Sequence, residues 1–271
     1  MRLNLHSRLA QRVLVQLSYT PYRNEKDLYD AASDVAWEIW FTTRQSFKIE
    51  VTAQHSPLTS LNFAALKIKD AVADRFRHKT GARPDVDTQW PDVRIYAHLT
   101  TDAATLYIDT SGEPLFKRGW REDKGEAPLK ETLAAAMLAA AGWRGRAEDG
   151  AQDGALLDPC CGAGTIIIEA AQIACGMAPG AQRRFAFERL LPFKPFMAAW
   201  RDLKRAAEAR VHKSAVPLFA GDVSFRMTDF ATRNAERAGV RQAIDFKTAD
   251  ALQRQPPVAA GVLMLNPPYG E

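Results

Sequence analysis

The sequence predicts an α/β protein in which a doubly wound parallel sheet follows a smaller α+β domain. Two observations support this prediction. After residue 154, apolar runs alternate with helical patterns in the order strand, helix, strand, helix, strand, which is typical of such a sheet. Before residue 114, the pattern predicts a mixture of strands and helices, one of which is long and basic. A chain of 271 residues is long enough to give each part its own core.

The first part of the chain contains several segments with a clear hydrophobic period. Alternation of apolar and polar residues predicts a strand, whereas apolar residues at helical spacing predict a helix. The predicted strands are residues 12–19, 47–52, 93–99 and 105–109, the last two joined as a hairpin, and the predicted helices are residues 1–9, 25–40 and 58–79.

The second part opens with an alanine-rich helix over residues 127–141, which has Pro128 in its first turn. A polar loop then leads into the sheet. The predicted strands are an apolar run that ends at Asp158, then residues 218–222, 244–247 and 262–266, and the predicted helices are residues 166–175 and 224–239. Groups that follow parallel strands gather at one edge of the sheet, where open α/β sheets bind ligands.

The charge distribution permits an anionic partner. The net charge is +4 and the isoelectric point is near 9.0. Basic residues are concentrated in two segments, residues 67–83 and 117–124, and either segment can equally be a solvated helix face. The candidate RNA-binding residues in them are Lys67, Lys69, Arg75, Lys79, Arg118 and Arg121.

The cysteines indicate a reducing compartment. The chain has three, Cys160, Cys161 and Cys175, and neighbouring cysteines cannot readily form a disulfide with each other. No cysteine and histidine pairs have the spacing of zinc ligands, so no metal site is predicted. No signal peptide or membrane-length apolar stretch is present. The sequence therefore predicts a cytoplasmic protein that does not enter a membrane.

A glycine turn between a strand and a helix is the candidate cofactor site. Gly162 and Gly164 allow the backbone to approach a ligand at the start of a helix. The pattern is neither a P-loop nor the three-glycine dinucleotide pattern. The candidate cofactor-binding residues of this turn are Asp158, Cys160, Gly162, Gly164 and Thr165.

Two acidic residues that follow later strands strengthen this hypothesis. Asp222 ends the second strand, where a carboxylate can accept hydrogen bonds from both hydroxyls of a ribose. Asp250 follows the third strand, where it can accept a hydrogen bond from an adenine amine. Taken singly, each acid can equally cap a helix or face solvent. Their order along the chain predicts a nucleoside-containing ligand.

The segment Asn-Pro-Pro-Tyr after the fourth strand, residues 266–269, is the candidate catalytic site. The side-chain oxygen of Asn266 and the carbonyl of Pro267 can accept the two hydrogens of a planar amine, and Tyr269 can stack on its ring. Pro268 restrains the backbone that presents these groups. Asn266 is also a candidate cofactor-binding residue. The alternative interpretation is a strand followed by a proline turn.

These motifs together resemble a known family. Residues 157–165 (Leu-Asp-Pro-Cys-Cys-Gly-Ala-Gly-Thr) and 265–270 (Leu-Asn-Pro-Pro-Tyr-Gly) resemble the class I S-adenosylmethionine-dependent methyltransferases that act on amino nitrogens. Residues 42–113 resemble a THUMP domain, an RNA-binding module. Residues 118–121 and 127–134 resemble the linker and entry helix of bacterial THUMP methyltransferases, and residues 185–189 are also similar to that group.

The resemblance is strongest to the RlmL type of 23S ribosomal RNA guanine-N2 methyltransferase. It implies a partial ferredoxin-like subdomain over residues 1–41, a THUMP domain over 42–113 and a Rossmann-like methyltransferase domain over 114–271. It also implies S-adenosylmethionine as the methyl donor and RNA, most specifically 23S ribosomal RNA, as the partner. Proteins of this type begin with further residues that complete the N-terminal subdomain and continue with further strands and helices after the Asn-Pro-Pro-Tyr segment, so we expect a chain truncated at both ends.

The sequence is compatible with three other functions. Asn-Pro-Pro-Tyr also occurs in enzymes that methylate a protein glutamine, although the basic first part of the chain favours RNA. DNA adenine methyltransferases typically have Asp in place of Asn266, which disfavours that substrate. A sheet that ends after its fourth strand leaves an unpaired edge, so an inactive RNA-binding fragment is a third alternative. The sequence indicates neither the oligomeric state nor the nucleotide that is modified.

Overall fold

A computed structural model describes residues 1–146 and 154–267 and divides the chain into two compact units. The first unit consists mainly of Arg12–Pro114 and Arg184–Trp200. The second consists of Arg2–Gln11, the described part of Leu115–Arg183 and the described residues from Arg201 onward. Both units therefore contain segments that are far apart in the sequence. The exact domain boundaries proposed above stay a prediction.

The first unit contains a four-stranded mixed sheet with the order β1-β4-β3-β2. β3 and β4 form the predicted antiparallel hairpin, β1 pairs with β4, and β2 runs parallel to β3. The strands are β1 (Leu14–Pro21), β2 (Phe47–Ala53), β3 (Val93–Leu99) and β4 (Ala103–Asp109), and the helices of this part of the chain are α1 (Arg2–His6), α2 (Glu25–Asp34) and α3 (Leu61–Thr80). Of these, α1 belongs to the second unit.

Helix α3 has clear signals at both ends. The Ser60 hydroxyl accepts a hydrogen bond from the Phe63 backbone N–H, which caps the first turn. Gly81 ends the helix in the left-handed region at φ 77°, where a side chain would be strained. Between these caps, Ile68, Val72 and Phe76 are buried in the core of the unit. The helix therefore lies on the sheet with its basic residues outside.

The predicted helix over residues 25–40 is shorter than expected. α2 stops at Asp34, the backbone at Val35 is extended, and a single 3-10 turn follows at Trp37–Ile39. The break lets Trp37 enter the core, where its indole N–H donates to the carbonyl of Ala32 at 2.7 Å. Burial of the large ring outweighs the helical periodicity at this point.

The second unit has the parallel sheet that the sequence predicts. Its strand order is β7-β6-β5-β8, and each described pair is parallel. The strands are β5 (Ala155–Asp158), β6 (Leu218–Asp222), β7 (Ile244–Thr248) and β8 (Gly261–Leu263), and the helices are α4 (Glu131–Ala140), α5 (Thr165–Ala174), α6 (Met197–Glu208) and α7 (Phe225–Arg237). The first four residues of α6 belong to the first unit. The order reverses between β5 and β8, and such a reversal is where a doubly wound sheet opens a ligand crevice.

β8 is shorter than the strand predicted over residues 262–266. It leaves the ladder after Leu263, although the Met264 N–H still donates to the Leu157 carbonyl at 3.0 Å. At its start, a Cβ atom on Gly261 would lie 2.5 Å from the Ala155 carbonyl oxygen. Glycine therefore allows the two parallel strands to pair closely at this point.

Among the described helices, none combines the length and the apolar character needed to cross a membrane. α6 was not predicted from the sequence, although Trp200, Leu203 and Ala207 in it have helical spacing.

Candidate functional site

A cavity of about 640 Å³ opens at the carboxyl ends of the strands in the second unit. This volume is in the range of small-molecule sites in proteins. Residues that follow β5, β6, β7 and β8 all line it, as the parallel sheet predicts. The candidate residues that the cavity brings together are Asp158, Cys160, Gly162, Thr165, Asp222, Asp250, Asn266 and Pro267.

The glycine turn is fixed by its neighbours. Gly164 has φ 89°, and a Cβ atom there would lie 3.0 Å from the Cβ of Ala231 on α7. Gly162 also has positive φ, at 51°, but nothing lies within 4 Å of the position of a Cβ atom. Gly164 thus lets α5 pack closely against α7, whereas Gly162 leaves open space at the cavity wall. Both properties suit a turn that a ligand approaches.

Asp158 is the most perturbed acid of the site. Its side chain is buried, and within the described residues neither carboxylate oxygen accepts a hydrogen bond of normal geometry. Burial raises its pKa to about 8, and the negative charge of Asp222 adds to this. The backbone N–H groups of Cys160 and Ile167 lower the pKa and offset part of this rise. An unpaired buried carboxyl group beside a cavity is typical of a ligand site.

Asp222 is oriented by two backbone groups. Its Oδ2 accepts from the Gly162 N–H at 3.0 Å, and its Oδ1 accepts from the Ser224 N–H at 2.9 Å. A carboxylate has about four acceptor positions, so it can still accept two hydroxyl hydrogens. The side chain is therefore placed to bind and is held in that orientation.

Asp250 and Cys160 complete the acidic side of the cavity. The Asp250 Oδ1 accepts from the Leu252 N–H at 2.9 Å, which fixes the turn after β7. Burial raises the pKa of Cys160, and the charges of Asp158, Asp222 and Asp250 raise it further. The three acids that follow successive strands therefore line one cavity with this thiol.

Asn266 and Pro267 lie at the cavity, at the end of the segment that follows β8. Asn266 is half-buried and Pro267 is exposed. Pro268 and Tyr269 lie outside the described residues, so their catalytic roles stay predictions. The described part of the motif is thus in the same cavity as the glycine turn.

Arg121 lies beside this cavity, and its guanidinium is almost buried. Its Nε donates to Glu131 Oε1 at 2.8 Å, and its Nη2 donates to Thr165 Oγ1 at 2.7 Å. The ring of Trp120 lies 5.1 Å from the guanidinium carbon. Arg121 therefore joins the linker and α4 to the first residue of α5. The linker also forms part of the cavity wall, through Gly125, Pro128 and Leu129. The sequence did not predict this, because no local pattern indicates it.

Arg118 is also buried, in a cluster of charged side chains. Its Nε donates to Glu169 Oε1 at 2.9 Å, and Arg8 Nη1 lies 3.1 Å from Glu169 Oε2. The Arg118 Nη2 also donates to the Arg8 carbonyl at 2.8 Å. These contacts connect the segment after α1 with α5 inside the second unit. The proposed contact of Arg118 with RNA stays a prediction, but its side chain is only 2% exposed.

The four candidate residues on α3 differ in their surroundings. Arg75 makes a bidentate pair with Glu38, at 2.8 and 2.7 Å, and also donates to the Ser33 carbonyl. Lys69 pairs with Asp70 at 2.8 Å. Lys67 Nζ lies 5.3 Å from the centre of the Phe63 ring, and Lys79 is exposed in the last turn. Lys67 and Lys79 are therefore better placed than Arg75 for an external anion.

In the two described ranges, no group of three or more His, Cys, Asp or Glu side chains is placed to hold a metal ion.

Comparison with known proteins supports the two-part organisation. A family profile described as RMKL-like, methyltransferase domain, matches residues 118–271, and the THUMP domain profile matches residues 22–109. The THUMP match begins earlier in the chain than the predicted boundary at residue 42.

Similar curated proteins are named ribosomal RNA large subunit methyltransferase K/L. One from Shewanella pealeana is 42% identical over 275 aligned residues, covering 100% of this chain and 38% of the relative. One from Psychromonas ingrahamii is 41% identical, covering 98% of this chain and 35% of the relative. The chain thus spans less than two fifths of the length of these relatives.

Solved structures share the fold. A protein from Listeria monocytogenes, described as a predicted N6-adenine-specific DNA methylase, has a TM-score of 0.87 at 31% identity and covers 100% of this chain and 69% of its own. The protein SMU.472, a putative methyltransferase complexed with SAH, has a TM-score of 0.83 at 29% identity. The match covers 99% of this chain and 69% of that protein's chain. TrmN from Thermus thermophilus, at 21% identity and a TM-score of 0.62, shows likeness of fold alone. The chain therefore belongs to the RMKL-like methyltransferase family, with a THUMP domain ahead of its methyltransferase domain.

Proposed function

We propose that the protein containing this chain transfers a methyl group from S-adenosylmethionine to the exocyclic N2 amine of a guanine in 23S ribosomal RNA. One observation supports this most strongly. Asn266 and Pro267, the described part of the candidate amine-binding motif, line the same cavity as the glycine turn and Asp222. A methyl donor and a planar amine can therefore meet in one site. The names of the curated relatives favour ribosomal RNA as the substrate.

The cavity suits a nucleoside that carries an amino acid. Asp222 would accept hydrogen bonds from the ribose hydroxyls, and Asp250 would accept from the adenine amine. Asp158, buried and unpaired at the glycine turn, would offer a carboxylate to a cationic group of the ligand, because that positive charge favours the ionised form of an acid that is protonated near neutral pH in the ligand-free protein. S-adenosylmethionine, when bound, supplies a sulfonium methyl group that is already activated for transfer. A structural relative complexed with SAH supports this choice of ligand.

Asn266 and Pro267 would hold the methyl acceptor. The lone pair of a guanine amine is delocalised into the ring, so the amine is a weak nucleophile. Hydrogen bonds from the amine to the Asn266 side-chain oxygen and the Pro267 carbonyl would favour localisation of that pair on nitrogen. Tyr269 would stack on the base after it has left its helix. The protein then contributes mainly by alignment, and the proton released after transfer passes to water.

The first unit would bind the RNA. Lys67, Lys69 and Lys79 are on one helix of the part that matches the THUMP domain, and this position favours contacts with phosphates. We propose that the protein acts in the cytoplasm, where a soluble enzyme reaches ribosomal RNA during assembly.

The test is methyl transfer by the full-length protein. Purified protein, tritiated S-adenosylmethionine and 23S ribosomal RNA from cells that lack the modification would be combined, and the labelled RNA would be digested to nucleosides. Label in N2-methylguanosine supports the proposal. Label in methyladenine, or label in protein glutamine when RNA is replaced by a protein substrate, would assign one of the other functions. A folded full-length protein that labels neither RNA nor protein would favour the binding fragment.

A further inference from the structure

Trp90 is unusually exposed for a tryptophan. It is 78% exposed, whereas Trp37, Trp120, Trp143 and Trp200 are buried and Trp40 is half-buried. An exposed ring is not a binding site by itself, because isolated apolar side chains are common on protein surfaces. Its backbone and its surroundings decide whether it can bind a ligand.

The turn that carries Trp90 is well ordered by its own contacts. The Asp87 Oδ1 accepts from the N–H groups of Gln89 and Trp90, at 2.8 and 3.0 Å. These two hydrogen bonds lower the pKa of Asp87, so the carboxylate stays ionised and keeps the turn in place. Trp90 therefore projects from a fixed backbone, and binding to its ring costs little loss of backbone freedom.

The sheet holds both ends of this turn. Before it, the Phe47 N–H donates to the Asp85 carbonyl at 2.9 Å, and the Asp87 N–H donates to the Phe47 carbonyl at 3.2 Å. After it, the Asp92 Oδ2 accepts from the Ser46 N–H at 3.1 Å. The turn is thus attached to the start of β2 and leads directly into β3.

Basic residues gather at the same end of the first unit. β2 and β3 are parallel, so α3, which connects them, must return to the end where both strands begin. That end carries the last turn of α3 and the residues on either side of the Trp90 turn. Its basic side chains are Arg44, Arg77, His78, Lys79, Arg83 and Arg189.

The acids at this end are mostly engaged. Asp87 caps the turn, Asp92 pairs with Arg189, and Asp74 pairs with Arg77, while Asp85 is exposed. Lys79, Arg83 and Arg44 are exposed as well. This end of the first unit therefore combines an exposed aromatic ring on a fixed backbone with five lysine and arginine side chains against four carboxylates.

We propose that Trp90 is a stacking platform for an unpaired base of the RNA, and that the surrounding lysine and arginine side chains contact the adjacent phosphates. This proposal rests on the proposed function, which makes RNA the partner. Proteins that bind single strands combine a cationic surface with aromatic rings on which bases stack.

The experiment measures binding of a 12-nucleotide oligoadenylate and of a duplex of equal length to the full-length protein. We expect the single strand to quench tryptophan fluorescence, and Trp90→Phe to abolish that quenching while keeping affinity within about twofold. Trp90→Ala should weaken single-strand binding by about 5- to 150-fold, the equivalent of removing one base stack. Duplex binding should change much less, because its bases are already stacked.

The matched control is Tyr19→Ala. Tyr19 is 65% exposed and lies on β1, at the opposite edge of the same sheet. It should leave both affinity and quenching unchanged. If Trp90→Ala binds the single strand as tightly as the wild type, or if Trp90→Phe is quenched as strongly, the proposal is wrong.

Methyl transfer by the wild-type protein is measured in the same preparation to separate this proposal from the proposed function. Transfer to 23S ribosomal RNA without any Trp90 effect would overturn the stacking platform alone. Quenching at Trp90 without transfer would support the platform and contradict the proposed enzyme activity.

Discussion

The Gly162 backbone N–H donates a 3.0 Å hydrogen bond to the Asp222 Oδ2, and this bond ties the glycine turn after β5 to the end of β6. Two residues that are distant in the chain therefore form one wall of the cavity. The turn orients the acid, and the acid in return satisfies a donor of the turn. This relationship makes Asp222 both a candidate ligand and a support for the turn.

Replacement of Asp222 by alanine should weaken S-adenosylmethionine binding by about 1–3 kcal/mol, the scale of a hydrogen bond to a charged group. Calorimetry on the full-length protein measures this. Asp222→Asn separates the two roles, since its remaining oxygen can still accept from Gly162. Asp245→Ala, an exposed acid on β7, is the control and should bind normally. Equal affinity of Asp222→Ala and wild type would contradict the assignment.

Asp158 should make the ligand-free protein less stable as the pH rises. Its pKa is raised to about 8 in the folded state, so the folded protein holds a proton that the unfolded chain has released above about pH 4. The contribution of Asp158 to the free energy of unfolding therefore falls by up to about 1.4 kcal/mol per pH unit between about pH 4 and about pH 8. Asp158→Asn should gain stability relative to wild type between about pH 5 and 8, measured by urea unfolding. If the free energy of unfolding depends on pH in the same way in wild type and in Asp158→Asn, Asp158 is ionised in the folded protein and the prediction is wrong.

Removal of the Arg118 side chain should destabilise the second unit. Arg118→Met leaves Glu169 buried with only Arg8 as a charged partner, and breaking such a buried pair costs about 3–5 kcal/mol. Urea unfolding measures the loss. Arg2→Ala, which removes an exposed cation from the same unit, should change stability by less than about 0.5 kcal/mol. A drop in RNA affinity with unchanged stability would instead make Arg118 an RNA contact.

RNA binding should depend on the lysines of α3. Neutralising Lys67, Lys69 and Lys79 together should reduce the slope of log affinity against log salt concentration by about 0.7–0.9 for each phosphate that is no longer neutralised. Arg75→Gln should mainly lower stability, since Arg75 is held by Glu38. Filter binding at several salt concentrations measures the slope. If the triple lysine variant keeps both affinity and slope, the basic face of α3 is only solvated.

The sequence predicted the position of the cavity better than it predicted the partners of the basic residues. Apolar runs followed by Asp158, Asp222 and Asp250 predict a parallel sheet and bring these acids to one edge, because parallel strands require it. The structure confirms this arrangement for the described residues.

The partners of individual basic residues were beyond sequence reasoning. Arg118 and Arg121 belong to a local basic segment, which is typical of a surface. Their acceptors, Glu169 and Glu131, lie on helices α5 and α4, and only tertiary packing brings them close. Trp37 shows the same limit for secondary structure, since burial of its ring ends a helix whose periodicity continues.

The central claim is that Asn266 holds the amine that receives the methyl group. Its most direct test is single-turnover methyl transfer to 23S ribosomal RNA by the full-length protein and its Asn266→Ala variant, together with the affinity of each for S-adenosylmethionine. Removal of one preorganised acceptor should lower the rate by about 10²–10³ and leave cofactor affinity nearly unchanged. A variant that transfers at the wild-type rate, or whose lower rate is fully explained by weaker cofactor binding, would contradict the claim.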